Sequence, residues 1–149
     1  MITLTTIDIV IRIAVAIGLG TALGLERTLA GKTAGMRTYA MISLGAAIFV
    51  IISEMVMFSI KNPLAASPVI MPAAIISGIG FIGAGLIRFH SNKITGLTTA
   101  AGLWVAAGIG MAYGFGFLYL AILSTTTALI IFTIMWFIAS ILKKYSYAP

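Results

Sequence analysis

The sequence has no cysteine, three acidic residues, one histidine and 8% charged residues in a chain of 149. Each shortage excludes something. Without cysteine there are no disulfides, no thiolate metal sites and no cysteine nucleophile. Asp8, Glu26 and Glu54 are the whole acidic inventory. No carboxylate cluster is available for a tight Mg²⁺ cage or an acid dyad, and no nucleophile–base pair is visible, so no enzyme is expected. A soluble domain carries about 25% charged residues. This chain cannot cover a water-facing surface.

What is present is apolar. Hydrophobic residues make up 61% of the chain, and the mean hydropathy is +1.18. A single all-α membrane domain is the expected fold. Five segments approach the roughly 20 apolar residues a span requires: about Asp8–Leu25, Tyr39–Ser59, Val69–Ile87, Leu97–Gly114 and Phe117–Leu142. The first is not a signal peptide, because no Lys or Arg precedes it.

The net charge of +6 falls at segment ends, which makes it an orientation signal with no nucleic-acid partner implied. With five spans, Arg27, Lys32, Arg37, Arg88, Lys93, Lys143 and Lys144 all lie on one side. The other side has Lys61, with Arg12 inside the first segment. The positive-inside rule then puts the N-terminus outside and the C-terminus in the cytoplasm.

Two stretches 61 residues apart are copies. Residues 24–38 align without a gap on residues 85–99 and share Gly, Leu, Arg, Lys, Gly and Thr, six of fifteen positions. Each copy joins two apolar segments, so the expected architecture is a parallel repeat of two helix pairs plus a fifth helix. The first copy carries Glu26 and Arg37 where the second has Ile87 and Thr98. Arg27 and Lys32, kept in the second copy as Arg88 and Lys93, suffice for orientation, so the additional Glu26 and Arg37 point to function. One reading is a solvated loop. The other pairs Glu26 with Arg37 between helix ends, in a cytoplasmic face that includes Arg27, Arg88 and Thr99.

Asp8, Arg12 and Glu54 form an outer-side cluster. Asp8 and Arg12 are four apart and can share a helix face, and Glu54 can reach Arg12 or Lys61. A structural ion pair competes there with an ion route. Glu26 is the one candidate for a weak Mg²⁺ contact, and no resident cofactor is expected. His90 reads as a solvated loop group. Ser124 to Thr127 interrupt the last span and are expected to bond to their own helix carbonyls. Tyr145 and Tyr147 beside Lys143 and Lys144 read as an interfacial anchor.

Gly78, Gly80 and Gly83 spell G-x-G-x-x-G, but inside an apolar span with no acid after Glu54. The dinucleotide fingerprint needs a strand before it and an acid about 20 residues on. Close helix packing is the expected role for these glycines, for the Gly20–Gly24 and Gly110–Gly114 pairs, and for Gly85, seven residues from Gly78. Such small-residue faces suggest a homo-oligomer in the lipid bilayer. A pore lined by bare backbone is the alternative.

Gly24-Leu25-Glu26-Arg27, Ala34 to Thr38, Ser77 to Gly85, Gly96 to Ala101 and Leu103-Trp104 together resemble the membrane domain of the MgtC/SapB family. The resemblance runs from about Arg12 to the end of the last span. It implies a bacterial inner-membrane protein tied to growth when Mg²⁺ is scarce and, in pathogens, to survival within macrophages. It implies action on other membrane proteins, including the ATP synthase, more than transport. Many relatives carry a cytoplasmic domain after the last span. This sequence ends at Pro149, so no such domain is expected here.

Overall fold

A computed structural model of the chain describes residues 4–59, 67, 69–90 and 93–146. Five helices follow one another: α1 (Thr6–Leu29), α2 (Met36–Ser59), α3 (Ile70–Leu86), α4 (Leu97–Gly114) and α5 (Leu118–Ser146). Four of them are long and apolar enough to cross a membrane; α3, at 17 residues, is shorter. The protein is a multi-pass membrane protein.

Between α3 and α4 the expected basic loop is a small antiparallel hairpin, β1 (Arg88–His90) paired with β2 (Lys93–Thr95). Of the sequence expectations, Lys61 and Tyr147 fall outside the described residues. So do the side chains of His90, Lys143, Lys144 and Tyr145.

The helix ends follow from local chemistry. Thr5 and Asp8 form a capping box at the start of α1. The Thr5 hydroxyl accepts from the Asp8 N–H (3.2 Å), and Asp8 accepts from the Thr5 N–H (3.1 Å). At its other end α1 runs beyond Leu25 and stops only where Gly31 takes φ +66°. The Gly31 and Lys32 amides then bond back to the Thr28 and Arg27 carbonyls, a Schellman closure. Gly116 (φ +84°) closes α4 in the same way. Pro72 lies in the first turn of α3, where the missing N–H costs nothing.

Packing centres on α4, which touches all four other helices. Lipid tails are as apolar as leucine, so helices associate in a bilayer through close fit. Small residues supply it here. A Cβ added at Gly20 would lie 2.7 Å from the Ser43 Cβ, and one at Gly114 would lie 2.9 Å from the Val50 Cβ. One at Gly110 would fall on the Ser43 carbonyl. Ala16, Ala46, Ala47, Ala106 and Ala107 are buried in the same layer. Ser43 is fully buried and donates to the Ala16 carbonyl at 2.8 Å, which satisfies its hydroxyl between α1 and α2. Leu23, Leu103 and Ile109 are fully buried beside them, while many other large apolar side chains face outward: Phe81 is 85% exposed.

The glycines of α3 behave differently from the expectation. Added Cβ atoms at Gly78, Gly80 and Gly85 would meet nothing within 4 Å, and Gly83 makes only ordinary contact with Ala100 at 3.6 Å. The tight packing belongs to α1, α2 and α4. Grooves of about 430 and 490 Å³ flank α3, one toward α2 and one toward α4.

Candidate functional site

Charged side chains gather at the two ends of α1. Arg12 and Arg27 are fifteen residues apart in that helix, about 22 Å at ~1.5 Å per residue. That separation places them near opposite faces of a hydrocarbon layer of about 30 Å.

At the first end, Arg12 ties three helices together. Its Nη1 donates to Glu54 Oε2 of α2 at 2.6 Å and to the Gly114 carbonyl of α4 at 2.7 Å. Gly116 leaves room for the guanidinium, since a Cβ there would sit 3.1 Å from Nη2. Asp8 takes no part in this contact. Its carboxylate bonds to Thr5, because the capping geometry holds it at the helix start.

At the second end, the last turn of α1 carries Glu26 and Arg27. A cation there complements the helix dipole. Arg27 is 3% exposed, although the sequence suggested a solvated orientation charge. Its Nε donates to the Glu26 carboxylate, and its guanidinium carbon lies 3.7 Å from the centroid of the Phe132 ring in α5. That contact is a close cation–π arrangement in a poorly solvated place. Glu26 therefore pairs with its neighbour and not with Arg37, which is exposed on the first turn of α2. The reason is the extra turn of α1: Glu26 remains inside the helix, next to the arginine it accepts from.

Tyr39 completes the cluster. It is fully buried, and its hydroxyl points to the Thr99 carbonyl at 3.5 Å. A Cβ on Gly102 would overlap the Tyr39 hydroxyl and lie 3.0 Å from the Phe132 ring edge. Gly24 lets Tyr39 and Met36 approach α1 in the same way. Thr28 links α1 to α2: its hydroxyl donates to the Gly24 carbonyl at 3.0 Å and accepts from the Met36 N–H at 3.1 Å. The glycines of this end are thus the space in which an arginine, a tyrosine and a phenylalanine fit.

The two sequence copies diverge within this cluster. Arg27 is helical and buried, whereas Arg88 is exposed on β1. Ile87 stands where the first copy has Glu26 and takes an extended conformation (ψ 118°) that ends α3. Thr99, the counterpart of Thr38, is buried; Thr38 is exposed.

Tyr39, Phe132, Thr28 and Ser43 were missed in the sequence reading. Gly102 and Gly24 hinted at close approach, but not at which side chain approaches. All three acidic side chains are engaged by donors of the chain: Asp8 by Thr5, Glu26 by Arg27 and Glu54 by Arg12. No group of three metal-ligating side chains occurs among the described residues.

The MgtC family profile matches residues 13–141. The chain belongs to the MgtC family. Relatives in it include the "Putative magnesium transporter YhiD" of Escherichia coli K12, 38% identical over 64% of this chain and 46% of its own length. "Protein SapB" of Bacillus subtilis is 38% identical over 63% of this chain and 42% of its own length. "Protein MgtC" of Brucella abortus is 41% identical over 56% of this chain and 32% of its own length. The chain thus spans less than half the length of these MgtC-family relatives. No solved structure matches it.

Proposed function

We propose that this MgtC-family chain is a non-enzymatic regulator in Mg²⁺ homeostasis, in the bacterial inner membrane, which acts by binding another membrane protein complex such as the ATP synthase. The observation that carries this reading is the engagement of every carboxylate. Asp8, Glu26 and Glu54 are each held by a donor of the chain itself. A cation route needs oxygen ligands to replace water around a reluctant ion, and here releasing Glu26 or Glu54 leaves the buried Arg27 or the largely buried Arg12 without its partner, while releasing Asp8 undoes the cap of α1. The same contacts suit a rigid scaffold that presents surfaces.

In this reading α3 is a fifth span. Its 17 residues reach about 26 Å at ~1.5 Å per residue, and local thinning of the bilayer accommodates the difference. Five spans put Lys32, Arg37, Arg88 and Lys93 in the cytoplasm and the N-terminus outside. The open glycines Gly78 and Gly80 on α3, beside the two grooves, suit a helix of a second copy.

One relative's name, that of the putative magnesium transporter, favours a second reading, in which the chain conducts Mg²⁺. Reconstitution of the full chain in liposomes with a trapped Mg²⁺ dye separates the two. Regulation predicts no entry beyond that into empty liposomes, together with capture of a membrane complex by crosslinking in native membranes. Saturable entry that disappears in Glu54→Gln or Glu26→Gln, with the variant still folded, refutes the regulatory reading.

A further inference from the structure

The hairpin between α3 and α4 has two unlike faces. Arg88 pairs with Thr95, Phe89 with Ile94 and His90 with Lys93. Paired residues share a face, and successive residues alternate. Phe89 and Ile94 therefore make one face, and Arg88, Lys93 and Thr95 belong to the other. Both faces are bare: Phe89 is 80% exposed, Ile94 52%, and Arg88 and Lys93 are exposed.

The hairpin's attachment is fixed. Gly96 takes φ +90°, and any Cβ there would collide with the Leu86 carbonyl, so the ends of α3 and α4 meet at its neck. The hairpin thus begins where two apolar helices end. Lys32 and Arg37 are exposed at the same end of the bundle, and the acid at that end, Glu26, is held by Arg27. Among the described residues, the exposed side-chain charges at this end, Lys32, Arg37, Arg88 and Lys93, are of one sign.

We infer that this hairpin is a membrane-interface clamp for anionic phospholipid, with Phe89 and Ile94 seated among the acyl chains and Arg88 and Lys93 on the headgroup phosphates. Charge complementarity selects the occupant. An aromatic and a branched aliphatic side chain suit the apolar boundary, and basic residues beside a bilayer attract anionic lipid. The inference does not depend on whether the chain regulates or transports.

The test uses the full chain with Phe89→Trp as reporter and with Trp104→Phe and Trp136→Phe to silence the native indoles. It is reconstituted in vesicles of phosphatidylcholine and phosphatidylglycerol, equal in both leaflets so that insertion direction is immaterial. The acyl chains of one lipid or the other are brominated to quench a nearby indole. The expected result is weak quenching by aqueous acrylamide and stronger quenching by brominated phosphatidylglycerol than by brominated phosphatidylcholine at equal content. The preference should fall roughly fivefold for each of Arg88→Gln and Lys93→Gln.

Equal quenching by the two brominated lipids overturns the headgroup assignment. Strong acrylamide quenching with none from either lipid overturns membrane docking and assigns the face to an acidic protein segment. Ile94→Trp serves as reporter if the first variant does not fold. Native mass spectrometry of the unaltered chain, counting retained phosphatidylglycerol against Arg88→Gln, gives a readout free of reporter substitutions.

Discussion

The guanidinium of Arg27 stacks on the ring of Phe132, 3.7 Å from its centroid, and joins the end of α1 to the middle of α5. Residues 105 positions apart in sequence thus add a polar tie to a helix whose Ala121, Thr125 and Ala128 are already buried against the bundle. Glu26 neutralises the arginine from the same turn. Neither contact involves Arg37, so the two charges that distinguish the first sequence copy from the second have separate roles. One compensates a buried cation, and the other is exposed on the first turn of α2.

Glu26→Gln should destabilise the protein strongly, because it leaves a 3% exposed guanidinium without its counter-charge, at a cost of about 3 kcal/mol or more. Phe132→Leu keeps the ion pair and loses the ring face, for about 1–2 kcal/mol. Arg37→Gln should be nearly neutral, since an exposed charge away from a partner contributes little. Thermal unfolding in one detergent or lipid mixture ranks the three. Equal losses for Glu26→Gln and Arg37→Gln would contradict the pairing described here.

The glycines divide by what surrounds them. Gly110→Ala places a methyl group on the backbone carbonyl of Ser43, and a packed backbone gives way only at about 1–3 kcal/mol or more. Gly78→Ala and Gly80→Ala meet open space within one chain, so the isolated protomer should keep its stability. If these two substitutions instead reduce the oligomer seen by crosslinking in membranes, the open face of α3 is where copies meet. A stable protomer and an unchanged oligomer for both would remove α3 from that role.

The apolar segments were readable because 8% charge and long hydrophobic runs permit nothing but lipid. The end of α1 was misjudged for a physical reason. Leu25 looked like the last apolar residue of the span, but α1 runs about one turn further, to Leu29, and the signal that stops it is Gly31 with Lys32 behind it. That turn puts Glu26 beside Arg27 and out of reach of Arg37. Periodicity along one helix also cannot say that Arg27 meets Phe132, because the contact depends on how α5 lies against α1. The hairpin was missed because three-residue strands are too short for their alternation to stand out. Within one chain Gly20 and Gly24 are where neighbouring helices come close, whereas Gly78, Gly80 and Gly85 face open space, since a glycine shows that a neighbour can approach and not that one does.

The tie between Arg12, Glu54 and the Gly114 carbonyl predicts a reciprocal effect. Arg12→Glu or Glu54→Arg alone replaces the ion pair, 2.6 Å in the native protein, by facing like charges and should lower the unfolding temperature. The double exchange should recover part of the loss, because the charges again attract. Recovery should be incomplete, since the second bond from Arg12 to Gly114 depends on the guanidinium lying on α1. A double variant no more stable than the worse single variant would show that this ion pair does not hold the helices together.

Gly96 is the remaining point at which one atom decides a larger arrangement. Its φ of +90° is a left-handed conformation that side chains rarely adopt, and the Leu86 carbonyl fills the space a Cβ needs. Gly96→Ala should therefore part the ends of α3 and α4 and release the hairpin while leaving the α1–α2–α4 packing intact. Hydrogen exchange is the suitable measurement, because it reports opening segment by segment. Amides of residues 88–90 and 93–95 should exchange faster, and those of Ala106 and Ala107 in the middle of α4 should not change. Faster exchange throughout α4 would mean that the neck holds the bundle and not merely the hairpin. Unchanged exchange in the hairpin would mean that β1 and β2 are kept in place by something other than Gly96.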